Sequence, residues 1–254
     1  MAAPETIGII GAHGDLGRRM TVQVASGPFK SILTSDLPGS EPPELEVGVD
    51  ASVNAGSMLV KPELVFDSEE IFERADVVHF CAPIDVAKDI ASVPADTLLV
   101  FHASVMDESL QAAQAILQKR KPLGSLAVVH CLMNEYKKVS VATDFGDTDA
   151  AAAHITDLGL VPHLEPSLVH DLRNASSTGI LAVIYEHSHR DLVEWDRQGL
   201  LTASASELTD LMENRDANWT KASLASIKRN PHLISAFGAL LADVIDAQAQ
   251  NPDS

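Results

Sequence analysis

The chain has 254 residues, 46% of them hydrophobic and 21% charged, enough to bury one large core or two modest ones and too apolar for wholesale disorder. With 36 acidic residues against 18 Lys and Arg the net charge is -18, so the surface repels phosphate backbones, nucleic acid is not an expected partner, and an anionic substrate needs a local cationic pocket. Cys81 and Cys131, the two cysteines, make neither a disulfide framework nor a four-ligand zinc site, the start MAAPETIGII is not a signal peptide, and no run is long enough to span a bilayer, so a cytoplasmic protein with no membrane partner is expected.

The first element is a short apolar run, TIGII at Thr6–Ile10, that enters a tight turn at Gly11. A helix follows over 15–26, stopped by Gly27-Pro28, and then a second strand at Ser31–Ser35 closed by Asp36. Residues 37–65 are acidic, carry four prolines, and read as loop with short strands at 45–49 and 64–66. A short helix at 69–74, a strand at 77–81 ending in Ala82-Pro83, a helix at 86–91, a strand at 97–101, a helix at 108–118 and a strand at 126–130 complete the alternation. Strands alternating with helices at this spacing build a parallel sheet covered on both faces. From about His163 the strand pattern fades. Helical periodicity then runs over 167–189, 191–213 and 219–248, with Pro231 breaking the last stretch. The expected organisation is an α/β domain at 1–162 followed by an all-helical domain at 163–254, whose wide apolar faces suit burial against a second subunit.

Between the first strand and helix, IIGAHGDLGRR sets glycines at 11, 14 and 17. In a Rossmann-type dinucleotide fold this turn lets backbone approach a pyrophosphate and aims a helix N-terminus at it. If Gly14 and Gly17 take the second and third places of G-x-G-x-x-G, Ala12 holds the first and Gly11 stands one place early. The turn residues Gly11, Ala12, His13, Gly14, Asp15, Leu16 and Gly17, with Ala82 and Pro83 at the turn after the fourth strand, are expected to line a nicotinamide dinucleotide. Asp36 ends the second strand where an acid hydrogen-bonds the adenosine ribose and favours NAD, whereas Thr34, Ser35, Arg18 and Arg19 are suited to the extra phosphate of NADP. NAD is therefore preferred and NADP stays open.

The segments LLVFHASVMDESL and GSLAVVHCLMNE bring Ser104 and His130 to the same edge of the sheet as the glycine turn. A histidine there, oriented by a serine, suits general acid/base work in hydride transfer, and His102 lies close in sequence but less well placed. His170 and Asp171 open the first long helix, His170 facing the cleft or packing there and Asp171 complementing the helix N-terminus. EHSHRD brings Glu186, His187 and His189 together in sequence but not on one helical face, and the H-E-x-x-H spacing is absent, so no metal is expected.

Taken in order, IIGAHGDLGR, ADVVHFCAPIDV, ASVMDESL, LAVVHCLMNE and VHDLRNAS resemble segments of the prephenate/arogenate dehydrogenase family over nearly the whole chain. The resemblance implies an NAD(P)-dependent oxidoreductase in which a hydride leaves the hydroxyl-bearing ring carbon, a histidine takes the hydroxyl proton and loss of CO2 aromatises the ring. His130 matches that histidine, with Ser104 as its partner. A homodimer through the helical domain is also implied. The chain departs from the family where substrate is held. Met106 replaces a lysine, Cys131-Leu132-Met133-Asn134 replaces Pro-Met-Phe-Gly, Ala182 falls near a substrate histidine, and Thr202 falls where the carboxylate-binding arginine belongs. Arg173 or Arg197 could supply the missing guanidinium. His170, Asn134 and Thr202 are thus the expected substrate-side residues. The reading that follows is a dehydrogenase acting on a divergent chorismate-derived, carbonyl or imine small molecule. An authentic prephenate dehydrogenase with a relocated clamp, or a non-catalytic dinucleotide sensor, are the alternatives.

Overall fold

The computed structural model describes residues 4–36, 61–65, 67–82, 94–107, 109–111, 113, 125–131, 137–198 and 227–250. The chain divides into two compact units, Met1–Ser167 and Leu168–Ser254.

The first unit is built on an eight-stranded sheet of order β3-β2-β1-β4-β5-β6-β7-β8. Its strands are β1 (Thr6–Ile10), β2 (Ser31–Ser35), β3 (Glu63–Leu64), β4 (Val77–Phe80), β5 (Leu98–His102), β6 (Ser125–Cys131), β7 (Lys138–Ala142) and β8 (Val161–Glu165). Helices α1 (Asp15–Ala25), α2 (Ser68–Arg74) and α3 (Thr148–Asp157) accompany them. Strands β1, β4 and β5 are buried along almost their whole length, as expected where helices cover both faces. Alternate residues sort cleanly into two cores. Ile10, Val78, Phe80, Leu99, Phe101, Leu126 and Val128 lie on one face, and Ile9, Val77, Val100, Ala127 and Val129 on the other, where Ile155 of α3 joins them. The order reverses direction between β1 and β4, the switch point at which open α/β sheets bind ligands.

Parallel pairing joins β3 through β6, as the alternating pattern predicts. The sheet then departs from that pattern, because β7 runs antiparallel to β6, with His130 opposite Ser140. Strands β7 and β8 and helix α3 were not legible in the sequence. β8 is VPHLE, an edge strand with mostly exposed residues, so it has no apolar face to show. The expected domain boundary at 162/163 falls inside it. The corner from β7 into α3 is tight. Gly146 has φ +79, and a Cβ there would sit 1.8 Å from the Leu126 carbonyl oxygen. The Asp147 amide donates to that same oxygen at 2.8 Å, while its carboxylate accepts from the Ala150 amide at 3.0 Å and caps α3.

In the second unit the described residues are helical, in α4 (Ser167–Asn174, beginning one residue before the unit boundary), α5 (Ile180–Arg197) and α6 (Leu233–Gln250). The helix expected over 167–189 does not run straight. A π-helical turn at Ala175–Gly179 separates α4 from α5, and α5 continues past the break expected at residue 190. The break at Pro231 is present, with the Leu233 amide donating to the Asn230 carbonyl at 3.1 Å. The elements expected at 45–49 and 86–91, most of the helix at 108–118, and residues 199–213 and 219–226 lie outside the described residues. Among the described residues no helix is long and apolar enough to cross a membrane.

Candidate functional site

The turn from β1 to α1 explains the irregular glycine spacing. Gly11, not Ala12, takes the positive φ of +81, and a Cβ there would press on the backbone just after β4, 2.8 Å from the Ala82 nitrogen. Gly11 and Ala12 both donate to the Ser35 carbonyl, at 2.9 and 3.2 Å, tying the turn to the end of β2. Gly17 is the close-packing glycine, because its Cβ would lie 2.0 Å from the Gly11 carbonyl oxygen and 2.8 Å from the Ala12 Cα. Gly14 differs from both. A Cβ there meets only the Gly11 oxygen, at 3.4 Å, so the protein itself leaves that side open. Gly14 is also the N-cap of α1 and offers no side-chain acceptor to the first helical turn. The Gly14 N–H itself donates to the Gly11 carbonyl at 3.2 Å, and it is the N–H groups of the first turn of α1 that are presented to an anion, the arrangement by which helix N-termini hold a pyrophosphate. Leu16 is half-buried against the α1-side core.

Asp36 reaches this turn. Its carboxylate accepts the His13 backbone N–H at 2.6 Å and lies 3.6 Å from His13 Nδ1. The Arg18 guanidinium donates to the His13 carbonyl at 2.9 Å, so the cation next to the turn also braces it.

His130 and Ser104 come to the same edge of the sheet. His102 pairs with Val129 across β5 and β6, which sets Ala103 and Ser104 level with His130 and Cys131, and the Ala103 amide donates to the Val129 carbonyl at 2.9 Å. His130 shares the face of Leu126 and Val128, while Cys131 shares that of Ala127 and Val129. The register adds Ser140 of β7, which is fully buried and directly opposite His130. No sequence signal marked it. Ala82 is half-buried at the end of β4; Pro83, Asn134 and Thr202 lie outside the described residues, and of Asp15 only the backbone is described.

Met106, which the sequence resemblance set in the place of a lysine, is fully buried in the core with Phe101 and Leu110. A charge at that position would be desolvated without a partner in that apolar cluster. Ala182 is likewise fully buried, and Arg173 and Arg197 are exposed. His170, expected at substrate, is 1% exposed and contacts Asp171 through Nδ1 at 2.8 Å.

No family model matches the sequence, and no curated protein matches it. Solved structures match along the whole fold. Prephenate dehydrogenase from A. aeolicus, in complex with hydroxyphenyl propionate and NAD+, is 15% identical with a TM-score of 0.69 over 98% of this chain and 93% of that one. Synechocystis arogenate dehydrogenase is 13% identical, TM-score 0.60, over 98% and 94%. An imine reductase variant from Myxococcus stipitatus, in complex with NAD+, is 11% identical, TM-score 0.57, over 99% and 78%. The chain therefore has the fold of these dehydrogenases and reductases.

Proposed function

We propose that the chain is a divergent relative of the prephenate and arogenate dehydrogenases, an NAD(P)-dependent oxidoreductase that moves a hydride between a nicotinamide and a small molecule. The observation that carries this reading is one shared edge. The glycine turn, Asp36, Ser104 and His130 all stand at the carboxyl ends of β1, β2, β5 and β6, around the point where strand order reverses. The residues present fit a dinucleotide, since Gly14 leaves open the space a Cβ would fill, above uncapped helix N–H groups. Bound there, the cofactor would supply the hydride acceptor or donor. The chain's own residues do the rest. The N–H groups of the first turn of α1 hold the phosphates, Asp36 receives a ribose hydroxyl, and His130 exchanges the proton of the substrate oxygen or nitrogen, with Ser104 at the same edge of the sheet. A chain of charge -18 with buried Met106 in place of a cation suits a substrate less anionic than prephenate, a dianion.

His130→Ala is expected to lower turnover by about 10²–10⁴-fold while leaving dinucleotide affinity unchanged, as measured by calorimetry and by nicotinamide absorbance with prephenate, arogenate and cyclic imines in turn. Undiminished turnover removes His130 from the chemistry. Tight dinucleotide binding with no turnover on any such substrate favours a sensor.

Asp36→Asn tests cofactor choice. The amide oxygen still accepts the His13 N–H, so the turn survives, but the charge that holds the ribose and repels a 2'-phosphate is gone. NAD affinity should fall about tenfold, the worth of one charge-assisted hydrogen bond, with NADP gaining relative to NAD. An unchanged ratio by calorimetry would show that Asp36 does not face the ribose.

A further inference from the structure

On the sheet face opposite His130, three histidines from three elements stand in a row. His79 of β4 is fully buried; its Nδ1 is 2.8 Å from Nε2 of His102 on β5, and its Nε2 is 2.8 Å from Nε2 of His154 on α3. The row continues from His102 Nδ1 to Cys131 Sγ of β6 at 3.6 Å, and from there to Met20 Sδ of α1 at 4.0 Å. At its inner end, buried His154 packs beside Phe29, and its Nδ1 has no hydrogen-bond partner. The spacing is that of hydrogen bonds between rings, with both nitrogens of His79 engaged. Two nitrogens bound to one metal stand farther apart than this, so the row is not a metal centre.

Counting hydrogens fixes what the row tolerates. Each nitrogen–nitrogen contact holds one hydrogen, because two would clash and none would set lone pair against lone pair. Three neutral rings carry three hydrogens. Two fill the two contacts, and the third sits at one end, on His102 Nδ1 or on His154 Nδ1. An N–H at the His154 end would be buried without an acceptor, so the neutral row points its hydrogens outward, from His154 through His79 to His102 and Cys131. A fourth hydrogen must either occupy that inner end or break a contact. It would also bring a charge with no counter-ion. The side chains beside the rings are the other histidines, Cys131 and Phe29, with Met20 beyond Cys131, and among the described residues no Asp, Glu, Lys or Arg is one of the groups that shift them.

We propose that His154, His79, His102 and Cys131 form an acid-released latch that fastens α3 to β4, β5 and β6 and stays closed only while all three rings are neutral. It is independent of the reaction assigned to the other face. Desolvation and mutual repulsion agree with the geometry. Burial pushes His154 down to about 4, burial and His154 push His102 down to about 3, and His79 also lies well below the ordinary value near 6.5. The folded state thus binds fewer protons than the unfolded chain. Stability is complete above pH 6.5 and is lost as pH falls from there toward about 4 and about 3, with the unfolding constant rising by up to roughly a thousandfold per pH unit when all three protons count.

The test compares urea unfolding of wild type and His79→Leu/His154→Leu between pH 7.5 and 4.5 (pH set on the order of the window above). The double variant should lose about two protons from the slope of the unfolding constant against pH. An unchanged slope overturns the latch. Should the variant not fold, wild type decides. Imidazole nitrogen NMR at pH near 6 is expected to show three neutral rings with His154 protonated at Nε2, and hydrogen exchange is expected to open α3 before β1 as pH falls. A charged ring in the folded protein, or α3 protected as long as β1 in acid, refutes the proposal.

Discussion

Gly17→Ala is expected to abolish dinucleotide binding and to destabilise the first unit, whereas Gly14→Ala should weaken binding and leave stability intact. The contrast follows from what each new Cβ would meet. At residue 17 it would lie 2.0 Å from the Gly11 carbonyl oxygen and 2.8 Å from the Ala12 Cα, both backbone atoms that cannot rotate away. Helix α1 would have to move off the turn by about 1 Å, since real carbon–oxygen contacts need about 3 Å or more. That shift misaligns the N–H groups of the first turn and breaks the packing of Met20 and Val24 on the sheet. A loss of about 2–3 kcal/mol and a fall in NAD affinity of 100-fold or more are expected, in line with the cost of overpacking. At residue 14 the new methyl would meet only one oxygen, at an ordinary 3.4 Å, but it would occupy the space offered to the pyrophosphate. Calorimetry with NAD and thermal unfolding separate the two effects. If Gly14→Ala bound NAD as well as wild type, the phosphates would not lie over this turn.

The second large effect belongs to the helical unit. His170 and Asp171 are 1% and 0% exposed and 2.8 Å apart, and the Asn230 side chain donates to the Asp171 carbonyl at 2.8 Å. This buried cluster joins α4 to the segment before α6, next to the π-turn. There Gly179 is so close to Leu233 that a Cβ would stand 2.7 Å from its Cδ1. Removing one member of a buried, hydrogen-bonded acid–base pair leaves the other desolvated, which costs about 3–5 kcal/mol. Asp171→Ala should therefore unfold the helical unit at far lower urea. His170→Leu/Asp171→Leu should cost less than the sum of the single changes, because both changes remove the same contact. A loss below about 1 kcal/mol for Asp171→Ala would mean that the pair is replaceable by solvent. The pairing gives the His170 ring a structural partner, whatever else it meets.

Much of the first unit was legible in the sequence. The buried runs TIGII and SILTS, the stop at Gly27-Pro28, and the strands of the alternation up to His130 all express rules that act over a few residues, as does the break at Pro231 in the second unit. The glycine turn, Asp36, Ser104 and His130 were placed at one edge by the same reasoning, because strand direction alone decides which edge a carboxyl end faces. The exposed strand VPHLE gave no such signal, since an edge strand has no second buried face. The π-turn at Ala175–Gly179 was missed as well, although its sequence Ala-Ser-Ser-Thr-Gly is poor in strong helix formers.

What the sequence by itself determined is therefore local: the elements with a buried face, the turn that needs glycine, and the edge at which polar residues emerge. The tertiary structure alone decided which turn residue takes the left-handed backbone, with Gly11 rather than Ala12 carrying the positive φ, and that Met106 is core. It also decided that Ser140 faces His130 and that His79, His102 and His154, spread over 75 residues, touch in one line. Each of these depends on register between strands or on a helix laid across them. Register is set by the sum of many packing contacts, so no short stretch of chain records it.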